Sequence, residues 1–160
     1  MYKAHLTPPP VRGLRLNNVA LAVGDLTAMI AWYETRLGFV VTERGRFDAV
    51  GADYAMLEAA GLRIELVSRS VAAKRPVDRT PPPDHLGLLG FKALVFETDN
   101  LSETTATLAE HDVEMLWADQ QLTAERRSTM LRDPEGNLIH IFGPVVGTGG
   151  GLHLSMARSI

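Results

Sequence analysis

Glu65 and His140 are titratable side chains within apolar runs, and an internal repeat sets them at equivalent positions. Sliding the chain against itself by 75 residues sets Glu65 on His140, Asn18 on Ala93, Asp25 on Asn100 and Leu26 on Leu101. An imidazole titrates near neutral pH, so His140 is a candidate general base, with Glu65 orienting it or handling a second proton. Each residue also has a purely structural reading. His140 lies on a largely apolar run and could be a satisfied core histidine, while Glu65 could pair with Arg63 or Arg127. The chain has no cysteine, which removes thiol nucleophiles, thiolate metal sites and disulfides together. Walker loops, dinucleotide fingerprints, His-Glu-x-x-His and nucleophile elbows are absent, and Ser68 and Ser128 have no evident partner base.

The elements that must position these groups fall into two segments of one order. Leu16 to Val23 reads as a buried strand ended by Gly24. Asp25 is then an N-cap, apolar residues recur at helical spacing from Leu26 to Leu37, and Gly38 is the stop. Phe39–Thr42, Tyr54–Leu57 and Leu62–Val67 follow as three strands. The second segment repeats the pattern: a strand at Ala93–Thr98, a helix led by Asp99, Asn100 and Ser102, then strands at Val113–Trp117, Thr129–Leu131 and Leu138–Phe142. The result is an α+β fold of two βαβββ modules, an internal duplication. Its bounds are a flexible arm over 1–13, one domain over 14–143 with modules at about 14–68 and 91–143, a Pro/Gly-rich linker over 69–90 placed to close over a site, and a flexible tail over 144–160.

Composition narrows the functional class. The formal net charge of −3 gives no general attraction for a polyanion, so nucleic acid is not an expected partner. No apolar run approaches the roughly 20 residues a bilayer helix needs, so no membrane partner is expected. No secretory signal is visible at the start, which makes the cytoplasm the expected location.

Asn18-Val19-Ala20-Leu21-Ala22-Val23-Gly24-Asp25-Leu26, Trp32-Tyr33 and Leu37-Gly38-Phe39 resemble the opening of the vicinal oxygen chelate superfamily, which includes glyoxalase I, bleomycin-resistance proteins and extradiol dioxygenases. Arg132-Asp133-Pro134-Glu135-Gly136-Asn137-Leu138-Ile139 is similar to that superfamily's closing turn and strand. The resemblance implies a curved mixed sheet forming a cup, helices on its convex face, and a homodimer. Strand alternation agrees: Leu21, Val23, Ile64, Leu66, Ile139 and Ile141 point to the helices, and Asn18, Arg63, Glu65, Ala93, His140 and Phe142 to the opposite face.

Metal-using relatives place a His on the first strand of each module and a carboxylate or His on the fourth; here those positions are Asn18, Glu65, Ala93 and His140. Ala93 offers no donor and Asn18 a weak one, so the resemblance implies a degraded metal site and no resident cofactor. The alternative is a divalent Fe, Mn, Ni or Zn ion on Glu65, His140 and Asn18, completed by water and substrate. Glu65 and His140 are thus the candidate catalytic pair, and Asn18, Arg63, Ala93, Phe142, Trp117 and Arg127 the candidate ligand-binding residues. The reading expected is a protein that binds or sequesters a small, partly apolar organic molecule in the cup, or acts on it without metal. The alternative is a metal-dependent glyoxalase-like lyase, isomerase or dioxygenase. Phe47 is a further wall candidate, whereas His85 on the linker and His111 read as solvated.

Overall fold

A computed structural model describes residues 15–70, 80, 83–87 and 89–145. The expected arm over 1–13, most of the linker and the tail beyond Val145 lie outside the described residues. The first module is β1 (Val19–Val23), α1 (Leu26–Leu37), β2 (Val40–Phe47), β3 (Ala52–Ala59) and β4 (Leu62–Ser68). The second is β5 (Ala93–Glu97), α2 (Leu101–Glu110), β6 (Met115–Gln121), β7 (Arg126–Arg132) and β8 (Leu138–Pro144). Each module forms a mixed four-stranded sheet, ordered β1-β4-β3-β2 and β5-β8-β7-β6, in which only the first and fourth strands run parallel. The expected α+β fold of two βαβββ modules is therefore observed.

The duplication extends to register. Val19 pairs with Ile64 and Ala20 with Glu65; in the second sheet Leu94 pairs with Ile139 and Val95 with His140, the same partners displaced by 75 residues. The helix starts repeat as well. Asp25 accepts a hydrogen bond from the Ala28 N–H at 2.9 Å, and Asn100 one from the Glu103 N–H at 3.1 Å, each satisfying a backbone donor the first helical turn leaves free. Gly38 ends α1 at φ 69°, a left-handed conformation that a side chain disfavours, and its N–H returns to the Tyr33 carbonyl.

One face of each sheet is closed by its helix. Met29, Ile30 and Tyr33 of α1 and Leu101, Thr105 and Leu108 of α2 are buried at helical spacing. The apolar ones among them meet Ile64, Leu66, Leu131, Ile139 and Ile141 in a core shared by both modules. Complete burial of a Leu or Ile side chain contributes about 1.5–3 kcal/mol, so this shared core is the main cohesive element.

The modules also touch at specific points. Phe39 meets Phe96 edge-on at 6.3 Å between centroids. Across the join, the Tyr33 hydroxyl donates to Asp133 at 3.0 Å and the Gly24 N–H to Glu135 at 2.7 Å. Asp133, buried at the head of the Asp-Pro-Glu-Gly-Asn turn, also accepts from the Glu135 and Asn137 backbone N–H groups and the Asn137 amide. Burial pushes the Tyr33 phenol pKa far upward, with Asp133 reinforcing the shift, so the hydroxyl is a permanent donor.

Candidate functional site

In β4 and β8 the core takes alternate residues, and the residues between them form a second face. On β4, Ile64 and Leu66 are fully buried against the helix while Glu65 is half-buried on the other side; on β8, Ile139 and Ile141 are buried and His140 and Phe142 half-buried. This placement follows from the two-residue period of a strand.

In the first module the Asn18 amide reaches diagonally across the sheet and donates to Glu65 Oε2 at 2.9 Å. Glu65 thus takes a neutral partner rather than Arg63 or Arg127. Arg63 is held at the β3–β4 hairpin by Glu58, its Nε 2.7 Å from Oε1. Tyr54, on β3, donates to Glu43 and stacks on Phe47 at 4.3 Å between centroids. Its ring covers Gly45 so closely that a Cβ there would lie 2.7 Å from the ring. The hydrogen bond to Glu43, then partial desolvation and the Glu43 and Glu65 charges, raise the Tyr54 pKa.

In the second module Trp117, His140 and Phe142 form an aromatic row. Trp117 meets His140 edge-on at 5.6 Å, and His140 tilts against Phe142 at 4.3 Å. Met130 is the cross-strand neighbour of both His140 and Trp117, whose indole N–H donates to Ser128 at 2.9 Å. Desolvation lowers the His140 pKa, favouring neutral imidazole, and its Nε2 is buried with no hydrogen-bond partner. Ala93 explains that vacancy: it occupies the place from which Asn18 reaches Glu65 in the first module, and a methyl group cannot donate.

Two placements differ from expectation. Arg127 does not lean toward this face; it shares the helix-facing side of β7 with Thr129 and Leu131 and pairs with Asp119, Nε to Oδ1 at 3.1 Å. Bulges in β6, which break strand alternation, bring Asp119 to it. His85 is buried rather than solvated, in a short 3₁₀ turn at Asp84–Gly87 whose His85 carbonyl accepts from Lys92 at 2.9 Å.

The chain thus assembles two clusters, Asn18 with Glu65 and Trp117 with His140 and Phe142, and among the described residues no hydrogen bond, ion pair or ring contact joins them. Nor does any group of three or more His, Cys, Asp or Glu among the described residues converge on a metal position. Tyr54 and Met130 belong to the same faces and were not singled out from sequence. Tyr54 was within reach, because it lies two residues from Met56, the cross-strand neighbour of Glu65. Arg126, whose guanidinium lies 5.4 Å over the Phe142 ring, sits in Glu125-Arg126-Arg127, a run with the composition of a solvated turn that does not announce the contact.

Comparison with known proteins bears on the fold and the family. No curated protein matches the chain. A glyoxalase family protein from Bacillus cereus superposes with a TM-score of 0.69 at 22% identity, over 87% of this chain and 99% of that one. One from Enterococcus faecalis gives 0.66 at 20%, over 80% and 96%. The trypanothione-dependent glyoxalase I of Leishmania major gives 0.64 at 18%, over 82% and 87%. The profile of the Glyoxalase/Bleomycin resistance protein/Dioxygenase superfamily matches residues 15–141. With a duplicated βαβββ architecture in identical register and a profile match across nearly all of it, the chain belongs to the glyoxalase/bleomycin resistance protein/dioxygenase superfamily.

Proposed function

We propose that this protein binds a small, partly apolar organic molecule on the strand face carrying Trp117, His140 and Phe142, with Asn18 and Glu65 lining the other part of the site and no resident metal. The observation that carries this reading is the setting of His140. A neutral imidazole with an unmatched Nε2, set among Trp117, Phe142 and Met130, is suited to one polar contact with an otherwise apolar ligand. It is also suited to accept a proton near neutral pH if the ligand is turned over.

The donor chemistry does not fit a divalent ion held by one chain. Ala93 has no donor, Asn18 turns its NH₂ toward Glu65, and no three His, Cys, Asp or Glu side chains converge among the described residues. A second reading draws on the family resemblance, which implies a homodimer with modules paired across chains: Glu65 and His140 hold equivalent register positions, and such pairing would set module one of one copy against module two of the other. In that reading the protein is a metal-dependent lyase, isomerase or dioxygenase. Dimerisation is part of both readings, since β1 and β5 are edge strands open to pairing.

Metal analysis separates the readings. Untagged protein purified without chelator, then incubated with iron, manganese, nickel or zinc and desalted, is expected to retain none of them above the level of a Glu65→Ala/His140→Ala variant. Anilinonaphthalene sulfonate, an apolar probe, is expected to bind the wild type and to lose affinity in Trp117→Ala. Near-stoichiometric metal that disappears in the double variant would overturn the proposal in favour of the metal enzyme.

A further inference from the structure

Strand β6 is the least regular of the described strands, and its irregularity surrounds Trp117. Its pairing with β7 slips twice: Met115 faces Leu131, Trp117 faces Met130, and Gln120 faces Ser128. Each slip inserts one residue into β6, and an inserted residue reverses which side chains point to which face. Met115 packs against the core, as does Leu131. Regular continuation would send Trp117 to that same side; the first slip sets it on the opposite face instead, edge-on to His140.

The second slip centres on Asp119, whose φ of 45° is unusual for a residue with a side chain. Several contacts hold it, all from behind the sheet. The Asp119 N–H donates to Thr129 Oγ1 at 2.9 Å, and Arg127 Nη2 donates to the Asp119 carbonyl at 2.7 Å. The Ser102 hydroxyl of α2 donates to Oδ2 at 2.6 Å. Arg127 Nε adds an ion pair to Oδ1 at 3.1 Å, at an angle outside hydrogen-bond geometry. Thr129 is itself fully buried and hydrogen-bonded to Thr105, which ties the bulge to α2. Backbone in a sparsely populated region persists where its surroundings over-determine it.

We infer that Asp119 and Arg127 are positioning residues, which pin the β6 bulge from the helix side so that Trp117 is held against His140 on the other. The inference rests on the proposed use of the Trp117–His140 face. It gives Arg127 a role on that face without contact with it.

The test needs no ligand. In a Trp32→Phe background Trp117 is the sole indole, since the chain has two tryptophans. Asp119→Gly removes the carboxylate while leaving the left-handed backbone accessible, so the strand can still fold. Arg127→Lys keeps the charge but not the two-pronged hold on Asp119. At a temperature where each variant is fully folded by circular dichroism, Asp119→Gly is expected to shift Trp117 emission to the red and increase its quenching by acrylamide, and Arg127→Lys to do so to a smaller extent. A lower melting temperature with unchanged emission and quenching in both variants would overturn the inference and leave the pair with a merely structural role. Because the signal is read without ligand or metal, failure of the binding proposal would leave this result standing, and the reverse also holds.

Discussion

Replacing Tyr33 by Phe should cost more stability than loss of one hydroxyl on a protein surface. Tyr33 is fully buried and Asp133 is 3% exposed, and their 3.0 Å bond joins α1 to the β7–β8 turn, 100 residues away in sequence. A hydrogen bond to a charged group contributes about 1.5–3 kcal/mol net, and the carboxylate would keep its other three donors in the Phe variant, so about 2 kcal/mol is expected. Asp133→Ala is more severe. It strands the buried Tyr33 hydroxyl and frees two backbone N–H groups and the Asn137 amide, which water can reach in part. About 3–5 kcal/mol is then expected, a large share of a typical domain's 5–15 kcal/mol. Urea unfolding followed by circular dichroism gives both values, and the double variant gives their coupling, expected at about 1–2 kcal/mol for residues in direct contact. For a chain of this size Tyr33→Phe should lower the melting temperature by roughly 4–8 °C. A Tyr33→Phe cost below about 0.5 kcal/mol, within the range of neutral surface changes, would refute the view that this bond clasps the modules.

Three further outcomes follow from the geometry. A Cβ on Gly143 would lie 2.6 Å from the Leu101 Cβ, so Gly143→Ala should push α2 off β8 and cost about 1–3 kcal/mol, measured by urea unfolding. Asp25→Ala and Asn100→Ala each remove an N-cap acceptor and should cost about 1 kcal/mol, additively, because the caps share no partner. His140 has a folded-state pKa below its unfolded value near 6.5, so as pH falls the unfolded chain takes the proton first. The stability tied to the neutral ring is present above about 6.5 and is lost as pH falls from there toward the folded value. Wild type should therefore lose urea resistance between pH 7.5 and 5.5 more steeply than His140→Gln, and equal slopes would contradict the assigned burial.

Much of this architecture could be read from residue spacing, and the exceptions have physical causes. Helix α1 was legible end to end because Asp25 and Gly38 punctuate an apolar stripe. The first and fourth strands of each module were legible because a one-sided core enforces alternation, and that placed Glu65, His140 and Phe142 on the face they occupy. Strand β2 was expected only to Thr42 but runs to Phe47, since Glu43-Arg44-Gly45-Arg46 has the composition of a turn although it pairs with β3 throughout. Strand β6 was expected at Val113–Trp117 and lies at Met115–Gln121, because two bulges defeat any reading by period two. The same bulges bring Asp119 to Arg127, a candidate ligand-binding residue that lies on the helix-facing side of β7. Contacts of the Asp-Pro-Glu-Gly-Asn turn with Tyr33 and Gly24 are long-range, and no local pattern announces them.

The matching registers of the two sheets carry a consequence for how such a chain can change. In β4 and β8 the positions alternate between those that hold the molecule together and those that face outward, so neighbouring residues answer to different demands. An exchange at 65 or 140 leaves Ile64, Leu66, Ile139 and Ile141 undisturbed, and an exchange in one module leaves the corresponding place in the other intact. Glutamate hydrogen-bonded to asparagine in one half, and histidine with alanine at the position matching that asparagine in the other, are then two different solutions at equivalent places. A scaffold of this kind can acquire new chemistry one half at a time while its folding stays the same.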